Sequence, residues 1–119
     1  MQDFQAGDFL IFQLESGYGL MRILAIDETL DGERIWHLRG YNDLFLDVEF
    51  ADQALQNPAG LTISRSHFVL TQRAFDSTQV ARMGNTPLDD GERQAVQTWR
   101  DDPQREVSDR SARLMLGLR

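Results

Sequence analysis

The chain has 119 residues and no cysteine, with 41% hydrophobic and 26% charged side chains. This length and composition predict a single domain over residues 1–119 with its own hydrophobic core, and they exclude disulfide and thiol chemistry. No apolar run approaches the roughly 20 residues of a membrane-spanning helix. No basic-then-apolar secretory signal opens the chain, so we expect a cytoplasmic protein without a membrane partner.

The net charge of −7 is unevenly distributed along the chain. Residues 1–60 carry a net charge of −8, whereas residues 61–119 carry +1, and all twelve cationic side chains are arginine. An acidic first half repels a phosphate backbone, so we do not expect a nucleic-acid partner. It favours a basic protein surface instead, because opposite charges steer association.

The stretch from Gly7 to Asp27 predicts a β-hairpin. Two apolar runs, Phe9–Leu14 and Leu20–Ile26, are too short for typical helices and flank a turn at Glu15–Gly19. Both faces of each run are apolar, which predicts strands covered on both sides at the centre of a bent sheet or small barrel. The mid-strand residues expected in the core are Phe12 and Ile23.

Two more strands are predicted after the hairpin. Asp31-Gly32 suits a tight turn, and Arg34–Tyr41 follows it as a third strand, expected to be more exposed than the first two. After a turn at Tyr41–Asp43, Leu44–Phe50 alternates apolar and polar residues and is predicted as a half-buried strand. Its outer face would present Phe45, Asp47 and Glu49.

The rest of the chain is predicted to be mainly helical. Short strands at Leu61–Ser64 and His67–Leu70 precede a short helix at Gln72–Asp76. Thr86-Pro87 predicts the N-cap and first residue of a longer helix that ends near Asp101. Residues 1–70 are therefore expected to be rich in strands and residues 71–119 rich in helices.

The last predicted helix, Asp109–Leu116, has a small apolar face. It is too short to be stable alone, so we expect it to dock through Leu114 and Met115. It would dock on its own sheet or on a second copy of the chain, the latter giving a homodimer. Together these elements predict an α+β fold: a strongly bent antiparallel sheet or small β-barrel over about residues 7–70, followed by two or three short helices.

No catalytic or metal-binding pattern stands out in the sequence. His37 and His67 are the only histidines, thirty residues apart without a recognisable ligand spacing, and we interpret both as structural. Ser64 and Ser66 lie beside His67, but a catalytic triad needs a geometry that adjacency does not provide. Gly17-Tyr18-Gly19 lacks the third glycine and the following helix of a dinucleotide site. We therefore predict no catalytic residue, no metal and no cofactor.

Gly7-Asp8-Phe9 and the run Gly17–Leu24, which reads Gly-Tyr-Gly-Leu-Met-Arg-Ile-Leu, carry a family resemblance. They resemble the opening hairpin of the polymorphic-toxin immunity protein 26 family, in which a Gly-Asp start and a Tyr-Gly turn precede a strand ending in Arg-hydrophobic-Leu. The resemblance covers about twenty of the 119 residues. It implies a small bacterial immunity-type domain that binds a protein and has no catalytic residues.

The leading functional prediction is a non-enzymatic protein-interaction domain with a basic protein partner. An aromatic side chain among carboxylates would supply contact area beside steering charges. The first alternative is a small β-barrel that binds nucleic acid or a small ligand, with exposed aromatic side chains stacking on bases. The second is an enzyme of unrecognised class. The candidate binding residues are Phe45, Asp47, Glu49, Tyr18, Trp36 and Tyr41.

Overall fold

The computed structural model describes residues 3–119; the first two residues of the expected domain lie outside the described part. The described residues form five strands, four short helices and one 3-10 turn. The strands are β1 (Asp8–Leu14), β2 (Gly17–Glu28), β3 (Arg34–Phe45), β4 (Ile63–Thr71) and β5 (Val80–Asn85). The helices are α1 (Val48–Ala54), α2 (Gln72–Asp76), α3 (Asp90–Asp101) and α4 (Ala112–Leu116), with the 3-10 turn at Pro58–Gly60.

The strands form one antiparallel sheet in the order β4-β3-β2-β1-β5. The sheet is open, with β4 and β5 at its two edges, so the predicted α+β fold is confirmed and its barrel alternative is wrong. A barrel would require the two edge strands to pair with each other. Here the chain leaves β4 through α2 before it returns as β5 on the opposite edge, beside β1.

The hairpin at the centre of the sheet is covered on both faces, as its sequence predicts. On one face, Phe12 and Ile23 are buried in a cluster to which α2 and α4 contribute side chains. On the other, Phe9 and Ile11 pack with Ala51 of α1. Because successive side chains of a strand point to opposite faces, a strand with two covered faces is mainly apolar on both.

The expectation that the third strand is relatively exposed is wrong. Trp36, His37 and Leu38 are fully buried, because β3 pairs with β2 on one side and β4 on the other. The predicted turn at Tyr41–Asp43 is also absent, since β3 continues to Phe45. The two strands predicted at Leu61–Ser64 and His67–Leu70 are one strand, β4, whose pairing with β3 is irregular around Gly40.

The predicted strand Leu44–Phe50 is wrong beyond Phe45. Tyr18, opposite Phe45, is nearly the first residue of β2, so no neighbouring strand remains to pair with residues 46–50. Asp47 instead caps α1, and its Oδ1 accepts a hydrogen bond of 3.0 Å from the backbone N–H of Phe50. Capping satisfies a helix N–H group that would otherwise have no partner. The segment therefore starts a helix, although its alternating pattern predicts a strand.

The predicted helix at Gln72–Asp76 is confirmed as α2, capped by Thr71. The start predicted for the longer helix is three residues early, because Asp89 rather than Thr86 is the N-cap of α3. Asp89 forms a capping box with Glu92, the reciprocal arrangement in which cap and third residue bond each other's backbone N–H groups. The helix ends at Asp101, before Pro103.

The last helix is shorter than predicted, and of its two predicted docking residues Met115 packs against the core whereas Leu114 does not. It begins after the N-cap Ser111 and ends at Gly117, which has a left-handed φ of 68°. Ala112 and Leu116 are buried against the chain's own sheet, whereas Leu114 is 70% exposed. Leu116 lies over Gly40 of β3, where a side chain at position 40 would collide with the leucine methyl groups. Glycine is therefore needed for this close approach.

We predict that Gly40→Ala and Leu116→Ala are coupled. Alone, the first overpacks the contact, at a cost of about 1–3 kcal/mol, and the second leaves a cavity, at about 2–5 kcal/mol. In the double variant the new methyl group occupies part of the vacated space, so the loss should be smaller than the sum by about 0.5–3 kcal/mol.

Denaturant unfolding of the two single variants and the double variant measures this coupling. Gly84→Ala in β5 is the matched control, because a Cβ there has no atom within 4 Å, and its unfolding free energy should change by less than about 0.5 kcal/mol. Strictly additive losses at positions 40 and 116 would contradict the proposed contact.

Candidate functional site

Two of the six candidate binding residues lie inside the protein. Trp36 is buried and stacks on Phe75 of α2 at a ring-centroid distance of 3.8 Å, and its indole N–H donates to Gln72. Tyr41 is buried beside Phe9, and this burial raises its pKa to about 12. Neither ring is available to stack on a ligand in this structure.

The other four candidates lie near one another at the end of β3 but do not form the predicted strand face. Tyr18 and Phe45 are opposite each other on β2 and β3, and both are half-buried. Asp47 and Glu49 are exposed at the start of α1, where negative charge is favourable to the helix dipole. The side chain of Asp47 is engaged in capping, so its charge is partly committed to the fold.

The apolar residues of the same segment form an exposed hydrophobic surface. Their exposed fractions range from 42% to 80%, whereas the alternating sequence predicts that they share the buried face of a half-buried strand. Beside them is a shallow hollow of about 550 Å³, also lined by Phe45. We call this surface the 44–50 patch, defined by Leu44, Leu46, Val48 and Phe50.

The surroundings of the 44–50 patch are acidic. Between Arg39 and Arg65 the chain has four carboxylates and no cationic side chain. One of them, Asp43, accepts a hydrogen bond from the backbone N–H of Thr62 and so has a structural role. Exposed apolar side chains flanked by charges of one sign are typical of a binding surface. The four carboxylates belong to Asp43, Asp47, Glu49 and Asp52.

An ion pair is buried between the sheet and α3. Arg22 of β2 is 3% exposed and Glu92 is 4% exposed, and Arg22 Nε lies 2.7 Å from Glu92 Oε2. The guanidinium also donates to the carbonyl oxygens of Gly7, Thr86 and Pro87 and to the Thr86 hydroxyl. Because all these partners belong to the fold, this pair is a structural tie rather than a ligand site.

Hydrogen bonds also link Asp27, His37 and His67 across three neighbouring strands, and we call these three residues the histidine chain. Asp27 of β2 lies 3.0 Å from His37 Nε2, and His37 Nδ1 lies 2.9 Å from His67 Nε2 on β4. The two imidazole rings are coplanar within 2° with centroids 5.2 Å apart, so they meet edge to edge. Arg100 of α3 donates to both carboxylate oxygens of Asp27, at 2.6 and 3.1 Å. Trp99 packs edge-on against His37.

The carboxylate fixes the direction of these hydrogen bonds. An ionised Asp27 only accepts, so His37 donates from Nε2; a neutral His37 then accepts at Nδ1, and His67 donates from Nε2. Burial lowers the pKa of His37, and burial together with the neighbouring His37 and Arg39 lowers the pKa of His67 to about 4. Burial acts to raise the pKa of Asp27, but hydrogen bonds from Arg100 and His37 outweigh it and lower that pKa. Both rings are therefore neutral near pH 7.

His67 opens onto a cleft of about 640 Å³ at the β4 edge of the sheet. Residues 102–110 run from the end of α3 to this edge, where the backbone of Ser108 exchanges hydrogen bonds with Val69 and Thr71. This segment covers β4 at Val69 and Thr71 and leaves the strand around His67 uncovered. The polar and aromatic residues lining the cleft include His67, Arg65, Trp99, Arg105 and Arg110.

Sequence reasoning treated the two histidines separately and missed their connection. The spacing of thirty residues is uninformative, but strand pairing explains it: His37 is opposite Val69, two residues from His67, and opposite Ala25, two residues from Asp27. Residues two apart share a face, so the three side chains form one diagonal. Only knowledge of which strands pair would have shown that the two histidines are connected, and the sequence pattern does not give the pairing.

Among residues 3–119, no cluster of three or more histidine, aspartate and glutamate side chains is arranged to hold a metal ion. In the same described range, no helix combines the length and apolar character needed to cross a bilayer. Comparison of the chain with protein-family models, with curated proteins and with solved structures found no match.

We predict that Glu92→Gln destabilises the protein by about 3–5 kcal/mol, because it leaves the buried charge of Arg22 without its counter-charge. Asp90→Asn removes a carboxylate from the same helix turn, but its partner Arg93 and Asp90 itself are exposed, so its cost should stay within about 1 kcal/mol. Urea unfolding of both variants compares the two costs. Equal and small losses would show that the Arg22–Glu92 pair does not tie α3 to the sheet.

The histidine chain predicts a loss of stability in weak acid. Since the folded pKa of each histidine is below its ordinary value of 6.5, the unfolded chain takes up protons first as pH falls. The free energy of unfolding should therefore decrease between about pH 6.5 and 4. Asp27, whose folded pKa is also lowered, adds a further loss below about its ordinary 3.8.

Denaturant titrations of the wild type and His67→Gln from about pH 8 to 4 test this dependence. Glutamine can still donate to His37 but does not titrate, so the variant should lose less stability over the acidic range. Superimposable pH profiles for the two proteins would contradict the role assigned to His67.

Proposed function

We propose that this protein is a non-enzymatic protein-interaction domain and that the 44–50 patch is its contact surface. The observation that carries the proposal is the exposure of four apolar side chains at the end of β3 and in the segment that follows it, beside the hollow at Phe45 and Phe50. Exposed apolar side chains gathered in one place are costly in water and mark interaction surfaces. The immunity-type role implied by the opening hairpin is one function of this kind.

The charges around the patch favour a basic partner. Glu49 and Asp52 project from α1 without a cationic neighbour in the segment between Arg39 and Arg65. A second copy of this chain would bring the same carboxylates against each other, which disfavours self-association through the patch. A partner surface with apolar side chains framed by lysine or arginine would match both the apolar and the acidic parts.

The proposal is tested by capture of binding proteins with immobilised wild type and variants. Leu46→Ser and Phe50→Ser should each lose a captured protein, because they remove apolar contact area. Leu30→Ser is the matched control: Leu30 is fully exposed, at the β2–β3 turn, and lies outside the patch. Its capture should equal that of the wild type.

The electrostatic part is tested with the protein so captured. Glu49→Arg and Asp52→Arg should slow its association and reduce the dependence of that rate on salt, while Glu33→Arg, an exposed acid near the β2–β3 turn, should change both much less. Asp47 is avoided because it caps α1. Loss of capture in Leu30→Ser to the same degree as in Phe50→Ser would overturn the proposal. Tight, salt-sensitive binding of DNA or RNA in a gel-shift titration would favour a nucleic-acid function instead.

A further inference from the structure

The cleft at the β4 edge has a polar end that the fold does not explain. His37 is fully buried, and its Nδ1 needs one hydrogen-bond donor, which His67 Nε2 supplies. This accounts for one nitrogen of His67. The other, Nδ1, makes no hydrogen bond to any residue of 3–119, and His67 lines the cleft. The side chain therefore presents a free lone pair to whatever enters.

The direction of the hydrogen bonds within the histidine chain makes His67 Nδ1 an acceptor. Because Asp27 only accepts, each imidazole donates toward it, and the last nitrogen in the sequence of bonds has no proton. Arg100 anchors the carboxylate bidentately from α3, so Asp27 is held in position. His67 thus differs from an isolated surface histidine, whose proton can reside on either nitrogen.

Three arginines line the cleft, and their positive charge favours anions. Arg105 lies over the Trp99 ring, 5.5 Å from its centroid, and bonds the backbone of Asp102. Arg65 makes a long contact of 3.4 Å to the carbonyl of Met115, and the Arg110 side chain makes no hydrogen bond within the described residues. Asp102 and Glu106 also line the cleft, so arginines outnumber carboxylates there although the whole chain is acidic.

We propose that this cleft binds an oxyanion that retains a proton: hydrogenphosphate, or the singly protonated phosphate group of a small phosphorylated molecule. The guanidinium groups donate to the anion's oxygens, as arginine does to phosphate. The remaining O–H of the anion donates to His67 Nδ1. Sulfate carries similar charge and shape but no proton, so it would place an oxygen lone pair against the nitrogen lone pair.

The test is a comparison of inorganic phosphate and sulfate at neutral pH and constant ionic strength, followed by NMR of the 15N-labelled protein. The histidine nitrogens should show Nε2-protonated tautomers for both rings. Phosphate should shift the His67 resonances at concentrations about tenfold or more below those of sulfate, because an unpaired acceptor facing another acceptor loses a hydrogen bond. Equal affinity for the two anions in the wild type would overturn the proposal.

Variants separate the roles of the groups. His67→Phe should abolish the preference for phosphate over sulfate, whereas Arg110→Gln should weaken both anions alike. Asp27→Asn should reduce the preference, because an amide can donate to His37 as well as accept and no longer fixes the tautomer. Arg82→Gln, on the opposite edge strand β5, should leave both affinities unchanged.

If His67→Phe does not fold, as judged from its amide spectrum, Asp27→Asn and Arg110→Gln decide the result. Methyl phosphate distinguishes the two sources of the ligand: binding of both phosphates supports a phosphorylated small molecule, and binding of the inorganic ion alone supports the free anion. A phosphate preference that survives both His67→Phe and Asp27→Asn would overturn the assignment of His67 as the acceptor.

Discussion

The buried pair of Arg22 and Glu92 is the interaction on which the arrangement of this fold depends. Arg22 stands on a central strand and donates to oxygens of Gly7, Thr86, Pro87 and Glu92, so it joins the start of β1, the loop after β5 and the first turn of α3. Glu92 also closes the capping box of α3 and accepts from Arg39 of β3. Burial of two charges is expensive unless every polar atom has a partner, and here the partners are supplied by four separate parts of the chain.

The position of α3 sets up the histidine chain in turn. With its first turn fixed over β2 by Glu92, its last turn brings Arg100 to Asp27 and Trp99 to His37. The segment that follows α3 then reaches the edge of β4 and covers it near Val69. The cleft beside His67 is the part of that edge that remains uncovered. The 44–50 patch has a similar origin, because it begins where β3 extends beyond its neighbour β4, whose pairing ends at Tyr41.

Much of the sheet follows from local sequence, whereas the sites depend on pairing. The hairpin, the Asp31-Gly32 turn and α2 were predictable because their turn residues, apolar runs and caps lie within a few positions of one another. The segment 44–50 was misjudged because alternation is meaningful only where a neighbouring strand exists. Trp36 was expected near the surface because β4 was not recognised as one long strand beside β3. The histidine chain joins residues up to forty positions apart. Its alignment depends on the registers of two strand pairs, which no local sequence pattern encodes.

The 44–50 patch and the cleft beside His67 differ in local charge, so one acidic protein can have two surfaces with different binding properties. The protein is 40 Å along its longest axis, whereas charges in physiological salt are screened over about 8 Å, so each surface responds to its own neighbours more than to the net charge of −7. The patch lies in the half with a net charge of −8, and all the residues that line the cleft belong to the half with +1. A nucleic acid spreads its charge over many nucleotides and would meet the carboxylates as well as the arginines. A single oxyanion in the cleft meets mainly the arginines and His67, and for that reason a small anion is compatible with a chain that should repel a long one.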